Sequence, residues 1–131
     1  MIDFVAEFVR TSPFGARMGL RLDHIASDRA RLVLPFDRAV TTIGDVVHGG
    51  AVSTLVDVAA TAAAWSAAEP TDTPRGATIG LTVEFLRAAR GADLEADARV
   101  LRRGASICFC EVDVTCAGRL VAKGLVSYKL G

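Results

Sequence analysis

Between Asp45 and Glu69 the chain runs VVHGGAVSTLVDVAATAAAWSAA, with one carboxylate, Asp57, and no lysine or arginine. The run is of full helix length and apolar around nearly its whole circumference. A helix of that kind is buried on more than one side, so the rest of the chain must serve as its cover, with a second subunit supplying part of the burial. An ionised carboxylate inside it is costly to bury; Asp57 is either neutralised or retained for chemistry. The run is also long enough to raise the question of a membrane span. Its Ala, Gly, Ser and Thr content and Asp57 argue instead for a buried helix in a soluble protein.

The flanking sequence supplies that cover. Ile2, Val5, Ala6 and Val9 recur at helical spacing over residues 2–10. Thr11-Ser12-Pro13 breaks this helix, and Gly15 and Gly19 mark a loop, so residues 1–15 read as an N-terminal helix and loop. Residues 20–25 and 29–35 alternate apolar and polar around Ala26-Ser27-Asp28, which predicts a hairpin. A loop follows over 36–47. The central helix is expected from about Gly49 to Ala67, stopping before Pro70. Four strands are expected after it, over 76–87, 92–103, 106–116 and 119–130, the last three joined by tight turns at Arg103-Gly104 and Ala117-Gly118 into a meander. The pattern predicts an α+β fold: one antiparallel sheet of five or six strands covering one long helix.

The 131 residues make a single domain, 1–131. Fifteen basic and fifteen acidic residues balance, so global charge gives no argument for nucleic acid or a membrane surface as partner. Cys108, Cys110 and Cys116 share even parity with Val112 and Val114 on one expected strand. Their spacing is not that of a zinc site; they read as small apolar core residues in a reducing compartment, and the chain is expected to be cytoplasmic. His24 and His48 are too few and too dispersed for a metal, and no P-loop or dinucleotide fingerprint is present. No metal or cofactor is expected.

The chemistry concentrates at the helix. His48-Gly49-Gly50 opens it with backbone N–H groups that lack intrahelical partners, glycines that admit a ligand close to the backbone, and a helix dipole that favours negative charge. This describes an oxyanion site for acyl transfer. Asp57 then serves as general base for water or as nucleophile. The two are eight residues apart on one helix, about 12 Å along its axis. One carbonyl cannot contact both, so a shared reaction requires two subunits with the helices antiparallel across a two-fold axis.

Several motifs resemble the hotdog-fold thioesterases, particularly the PaaI-like acyl-CoA thioesterase group. They are Pro13-Phe14 leading to Met18-Gly19-Leu20, Val47-His48-Gly49-Gly50-Ala51, Leu55-Val56-Asp57, the strand Leu81 to Arg87, and Leu120-Val121-Ala122-Lys123-Gly124. The resemblance spans nearly the whole chain. It implies a long helix wrapped by a curved antiparallel sheet, homodimers paired edge to edge, and dimers paired again into homotetramers.

By position, the resemblance makes Asp57 the catalytic carboxylate and Gly49 the donor that polarises the thioester carbonyl. His48 and Gly50 complete the motif, with His48 orienting the loop. Thr78 falls where a Ser or Thr holds the attacking water. Where family members carry Asn or Gln, six residues before the motif histidine, this chain has Thr42; Asp45 replaces the usual Gly, with Gly44 one place earlier. A hydroxyl can donate or accept but is shorter than an amide. Arg87, Arg90, Arg102, Arg103 and Lys123 are candidates for the phosphates of coenzyme A. Two other functions stay open on the same fold: non-catalytic binding of acyl-CoA, and a dehydratase or hydratase, for which no matching His-acid pair is found.

Overall fold

The apolar run folds as one helix, α3 (Gly49–Ser66), whose buried residues include Ala51, Val52, Leu55, Val56, Ala59, Ala60, Ala62 and Ala63. The computed structural model describes all residues 1–131. Around α3 stand α1 (Ile2–Thr11), α2 (Pro13–Met18), β1 (Arg21–Ala26), β2 (Arg29–Leu34), a 3-10 turn at Arg38–Val40, β3 (Gly76–Phe85), β4 (Leu94–Arg103), β5 (Ile107–Cys116) and β6 (Arg119–Leu130). Strand pairing is antiparallel throughout, in the order β1-β2-β4-β5-β6-β3. The result is the expected α+β hotdog architecture. No helix is long and apolar enough to cross a membrane.

The sequence pattern explains the sheet. On β5, Cys108, Cys110, Val112, Val114 and Cys116 are buried, alternating with less covered residues between them. The cysteines therefore lie on the face of Val112 and Val114, as their parity predicts. Ala117 and Gly118 both take positive φ, 51° and 78°, the geometry of a two-residue hairpin that matches strand twist.

One feature differs from the sequence reading. Residues 13–18, expected as loop, form α2, because Pro13 occupies a first-turn position where its missing N–H costs nothing. Gly19, at φ 73°, closes the helix in the left-handed conformation. The sequence pattern leaves the partner of β3 open; in the structure β3 lies beyond β6 at the sheet edge, away from β4, its sequence neighbour. The segment between β3 and β4 crosses the start of α3, where the Val47 N–H donates to the Ala89 carbonyl at 2.9 Å.

Helix and sheet approach closely beside the carboxylate. A Cβ on Gly124 of β6 would collide with the Val56 side chain, next to Asp57. Only glycine lets α3 lie this deep against β6.

Candidate active site

α3 opens on a fixed turn. His48 is its N-cap, and its Nδ1 accepts from the Gly50 N–H at 2.8 Å. That bond requires an unprotonated Nδ1, so the imidazole hydrogen sits on Nε2. It also spends the Gly50 N–H, so both His48 and Gly50 shape the turn. The Gly49 N–H, by contrast, has no partner within the chain. A Cβ at Gly49 would stand 3.4 Å from Phe85 Cζ, over the same face.

Backbone bonds hold the preceding loop against this turn. The Thr42 N–H donates to the Val46 carbonyl at 2.8 Å and the His48 N–H to that of Val40 at 2.8 Å. Arg90 pairs with Asp45 at 3.2 Å, and the Gly91 N–H donates to the Asp45 carbonyl at 3.0 Å. Asp45 thus has a definite use in this loop: it ties the loop to the segment after β3. Thr42, Gly49, Phe85 and Arg87 line one open recess of about 370 Å³. Thr42, Gly49 and Arg87, singled out from sequence, come together here.

Asp57 lies two turns further on, half-buried, on the stripe of α3 that also carries Ser53, Thr54, Val58 and Thr61. The other faces of the helix are covered. Thr78 on β3 donates from Oγ1 to Asp57 Oδ1 at 2.6 Å, a short bond of the charge-assisted kind. Asp57 Oδ2 makes no hydrogen bond within the chain. Near this pair, the Trp65 indole N–H donates to the Tyr128 hydroxyl at 2.8 Å. Burial pushes the Tyr128 phenol above its ordinary value; the Trp65 bond opposes this and the nearby Asp57 charge adds to it.

The remaining candidates are placed elsewhere. Arg103 is bound to Asp28 at 2.7 Å and reaches the Ala63 carbonyl near the far end of α3, so it is committed to an internal pair. Arg102 is exposed on the same strand. Neither is brought to Gly49 within one chain. Lys123 contacts Glu111 and Asp113 within the sheet. His24 is exposed on β1, and no group of three His, Cys, Asp or Glu residues is placed to hold a metal. Burial pushes the Cys108 thiol up and that of Cys110 to about 12, which keeps both protonated and unreactive near neutral pH.

Sequence reasoning missed Phe85 and Tyr128. Counting by twos along β3 puts Thr78 and Phe85 on opposite faces, but a register shift between Thr78 and Gly80 inserts one extra residue. Across that bulge both side chains turn toward α3, as such irregularities do near functional sites.

One long helix wrapped by a six-stranded antiparallel sheet, with a free N–H at the helix entry and a carboxylate two turns on, defines a hotdog protein. A family model described as the thioesterase superfamily matches residues 44–123, and the chain belongs to that family. A curated protein of Halobacterium salinarum that carries an esterase name is 37% identical over 100 residues, 74% of this chain and 66% of the relative. The chain therefore spans just under two thirds of that relative's length. A thioesterase family protein from Silicibacter pomeroyi superposes with a TM-score of 0.88 at 27% identity, over 99% of this chain and 98% of that one. A phenylacetic acid degradation-related protein from Ralstonia eutropha, at 20% identity and TM-score 0.84 over 96% and 98% of the chains, shares the fold.

Proposed function

We propose that the protein is an acyl-CoA thioesterase, hydrolysing a thioester to a free acid and coenzyme A in a homodimer with two shared sites. One arrangement carries this reading. β3 lies at a free sheet edge and runs from Thr78, bonded to Asp57, to Phe85, packed at Gly49. α3 runs the opposite way, from Gly49 to Asp57. Antiparallel pairing of two β3 strands about a two-fold axis near Leu81 and Thr82 would set one chain's Thr78 against the other's Phe85. The Asp57 of one subunit would then face the Gly49 N–H of its partner, which supplies the geometry that about 12 Å of helix denies to one chain. Exposed Ile79, Leu81 and Phe85 on that edge strand would lose apolar surface to water in the same step.

The chemistry follows from the free atoms. Asp57 Oδ2 takes a proton from water as its oxygen attacks the thioester carbon, while Thr78 holds the carboxylate through Oδ1 and offers an oxygen lone pair to the water. The partner's Gly49 N–H, at the positive end of α3, stabilises the oxyanion. Collapse breaks the carbon–sulfur bond, and the thiolate leaves and takes up a proton. Direct attack by Asp57 would instead give an anhydride that water then opens. Arg87, exposed where it lines the recess, would bind a coenzyme A phosphate.

The test is thiol release from a panel of acyl-CoA esters, with Asp57→Asn beside the parent protein. Turnover in the parent and a loss of about 10²-fold or more in the variant are expected from removal of a general base. Undiminished turnover would refute the assignment. Thr42 favours one alternative, because its hydroxyl is shorter than the amide it replaces: tight binding of the esters with no thiol release would mark a non-catalytic acyl-CoA-binding protein.

A further inference from the structure

One apolar cavity lies beyond the Asp57–Thr78 pair. It has a volume of about 150 Å³, and its walls include Phe4 and Phe8 of α1, Thr61 and Trp65 of α3, Gly76 of β3, and Tyr128 of β6. Three of its lining residues adjoin the proposed reacting centre. Thr61 is one helical turn after Asp57, and its hydroxyl donates to the Asp57 carbonyl at 2.9 Å. Gly76 is two residues before Thr78 on the same strand, and Tyr128 is the register partner of Thr78. Trp65 stands two turns from Asp57, so the cavity occupies the space from about 6 to 12 Å along the helix axis.

From this geometry we infer that the cavity holds the tail of the acyl group and that Phe4 and Phe8 of α1 set its limit. The inference rests on the thioester reading of the Asp57 site. A cavity of about 150 Å³ lined by apolar side chains accommodates one benzene molecule. The substrates are therefore compact acyl groups, with a short or branched chain or a single ring, and long fatty chains are excluded.

The end of the cavity away from Asp57 is bounded by packed aromatic side chains. The Phe4 ring meets Trp65 edge-on, with centroids 5.9 Å apart and planes at 63°. Trp65 is in turn fixed by its bond to Tyr128, and a Cβ on Gly76 would strike the Tyr128 hydroxyl. Three walls are thus rigid elements of helix and sheet. The fourth is α1, whose Phe4 and Phe8 are each 40% exposed. It is the wall that can be shortened without opening the core.

Trp65 is the only tryptophan in the chain, so its fluorescence reports occupancy of this cavity whether or not hydrolysis occurs. The parent protein would be titrated with free coenzyme A and with the non-hydrolysable thioethers S-butyl-CoA, S-hexyl-CoA and S-dodecyl-CoA. The butyl and hexyl thioethers should change Trp65 emission, and free coenzyme A should not. In Phe4→Ala and Phe8→Ala, the affinity ratio of dodecyl to butyl should rise about tenfold, at the low end of what methylene fit is worth in an apolar pocket. Circular dichroism verifies that the variants are folded.

A Trp65 signal that ignores the tail, or a dodecyl-to-butyl ratio unchanged in both folded variants, would overturn the inference. Should either variant fail to fold, the tail-dependent Trp65 response of the parent decides it. Absence of thiol release with a tail-dependent Trp65 signal would sink the hydrolase reading and leave the tail pocket standing.

Discussion

Thr78 Oγ1 donates to Asp57 Oδ1 across 2.6 Å, from the edge strand to the central helix. The bond uses the hydroxyl hydrogen and one carboxylate oxygen, and leaves Oδ2 and a hydroxyl lone pair for water. Thr78→Ala should lower kcat by about tenfold, the modest loss expected when a general base keeps its charge but loses its aim. Thr78→Ser keeps the hydroxyl and should restore most of that loss. Steady-state kinetics on one acyl-CoA checks both; equal rates in the Ala and Ser variants would show that the hydroxyl has no part in turnover.

The division of one site between two chains can be read by mixing. Gly49→Pro removes the proposed oxyanion donor at a helix position where proline is tolerated, and His48, at φ −60° and ψ 135°, already has the conformation that precedes proline. The single variant should lose about 10²- to 10³-fold in kcat, as for other oxyanion-hole deletions. Mixed with Asp57→Asn under conditions of subunit exchange, it should regain activity, because each heterodimer contains one site carrying both lesions and one carrying neither. A mixture as inactive as its components would place both groups of each site in one chain.

His48 caps α3 through Nδ1, and this role makes a prediction separate from catalysis. His48→Ala should cost about 1 kcal/mol of stability, the usual worth of a side-chain cap, read as a lower urea midpoint with unchanged slope. His48→Asn can accept from the same N–H and should recover most of it. A variant as stable as the parent would mean that the helix entry is held by the backbone alone.

The helix, the hairpins and the parity of the cysteines are legible because each depends on local periodicity or turn chemistry. The Gly49–Asp57 spacing is legible for the same reason, since it is measured along one helix. The position of β3 is not: its pairing with β6 is a long-range choice that local periodicity and turn chemistry do not record. Phe85 is hidden behind the bulge after Thr78, which reverses parity for the rest of the strand. Arg103 illustrates the converse. Its charge and position are legible in the sequence, but its pairing is not: the fold brings Asp28 to it from 75 residues away.

The charge ladder across the sheet predicts how stability responds to pH. Lys123 contacts both Glu111 and Asp113, and Arg99 lies 2.9 Å from Glu111 and 3.4 Å from Asp113. The hydrogen bond from Lys123 is the main cause that holds Glu111 below the ordinary carboxylate range. For Asp113, burial acts in the opposite direction, and Lys123 and Arg99 together outweigh it. Lys123 is itself raised, through its bonds to the same two carboxylates. Folded carboxylates with depressed values contribute stability above their unfolded values, about pH 4, and lose it as pH falls through the folded ones. A raised lysine contributes below its unfolded value, about pH 10.4, and loses that contribution as pH climbs through the folded one. The stability difference between the parent and Lys123→Met should therefore be flat between these limits and shrink on either side. Urea unfolding at a series of pH values measures it, and a difference that grew on acidification would show that the ladder does not stabilise the sheet.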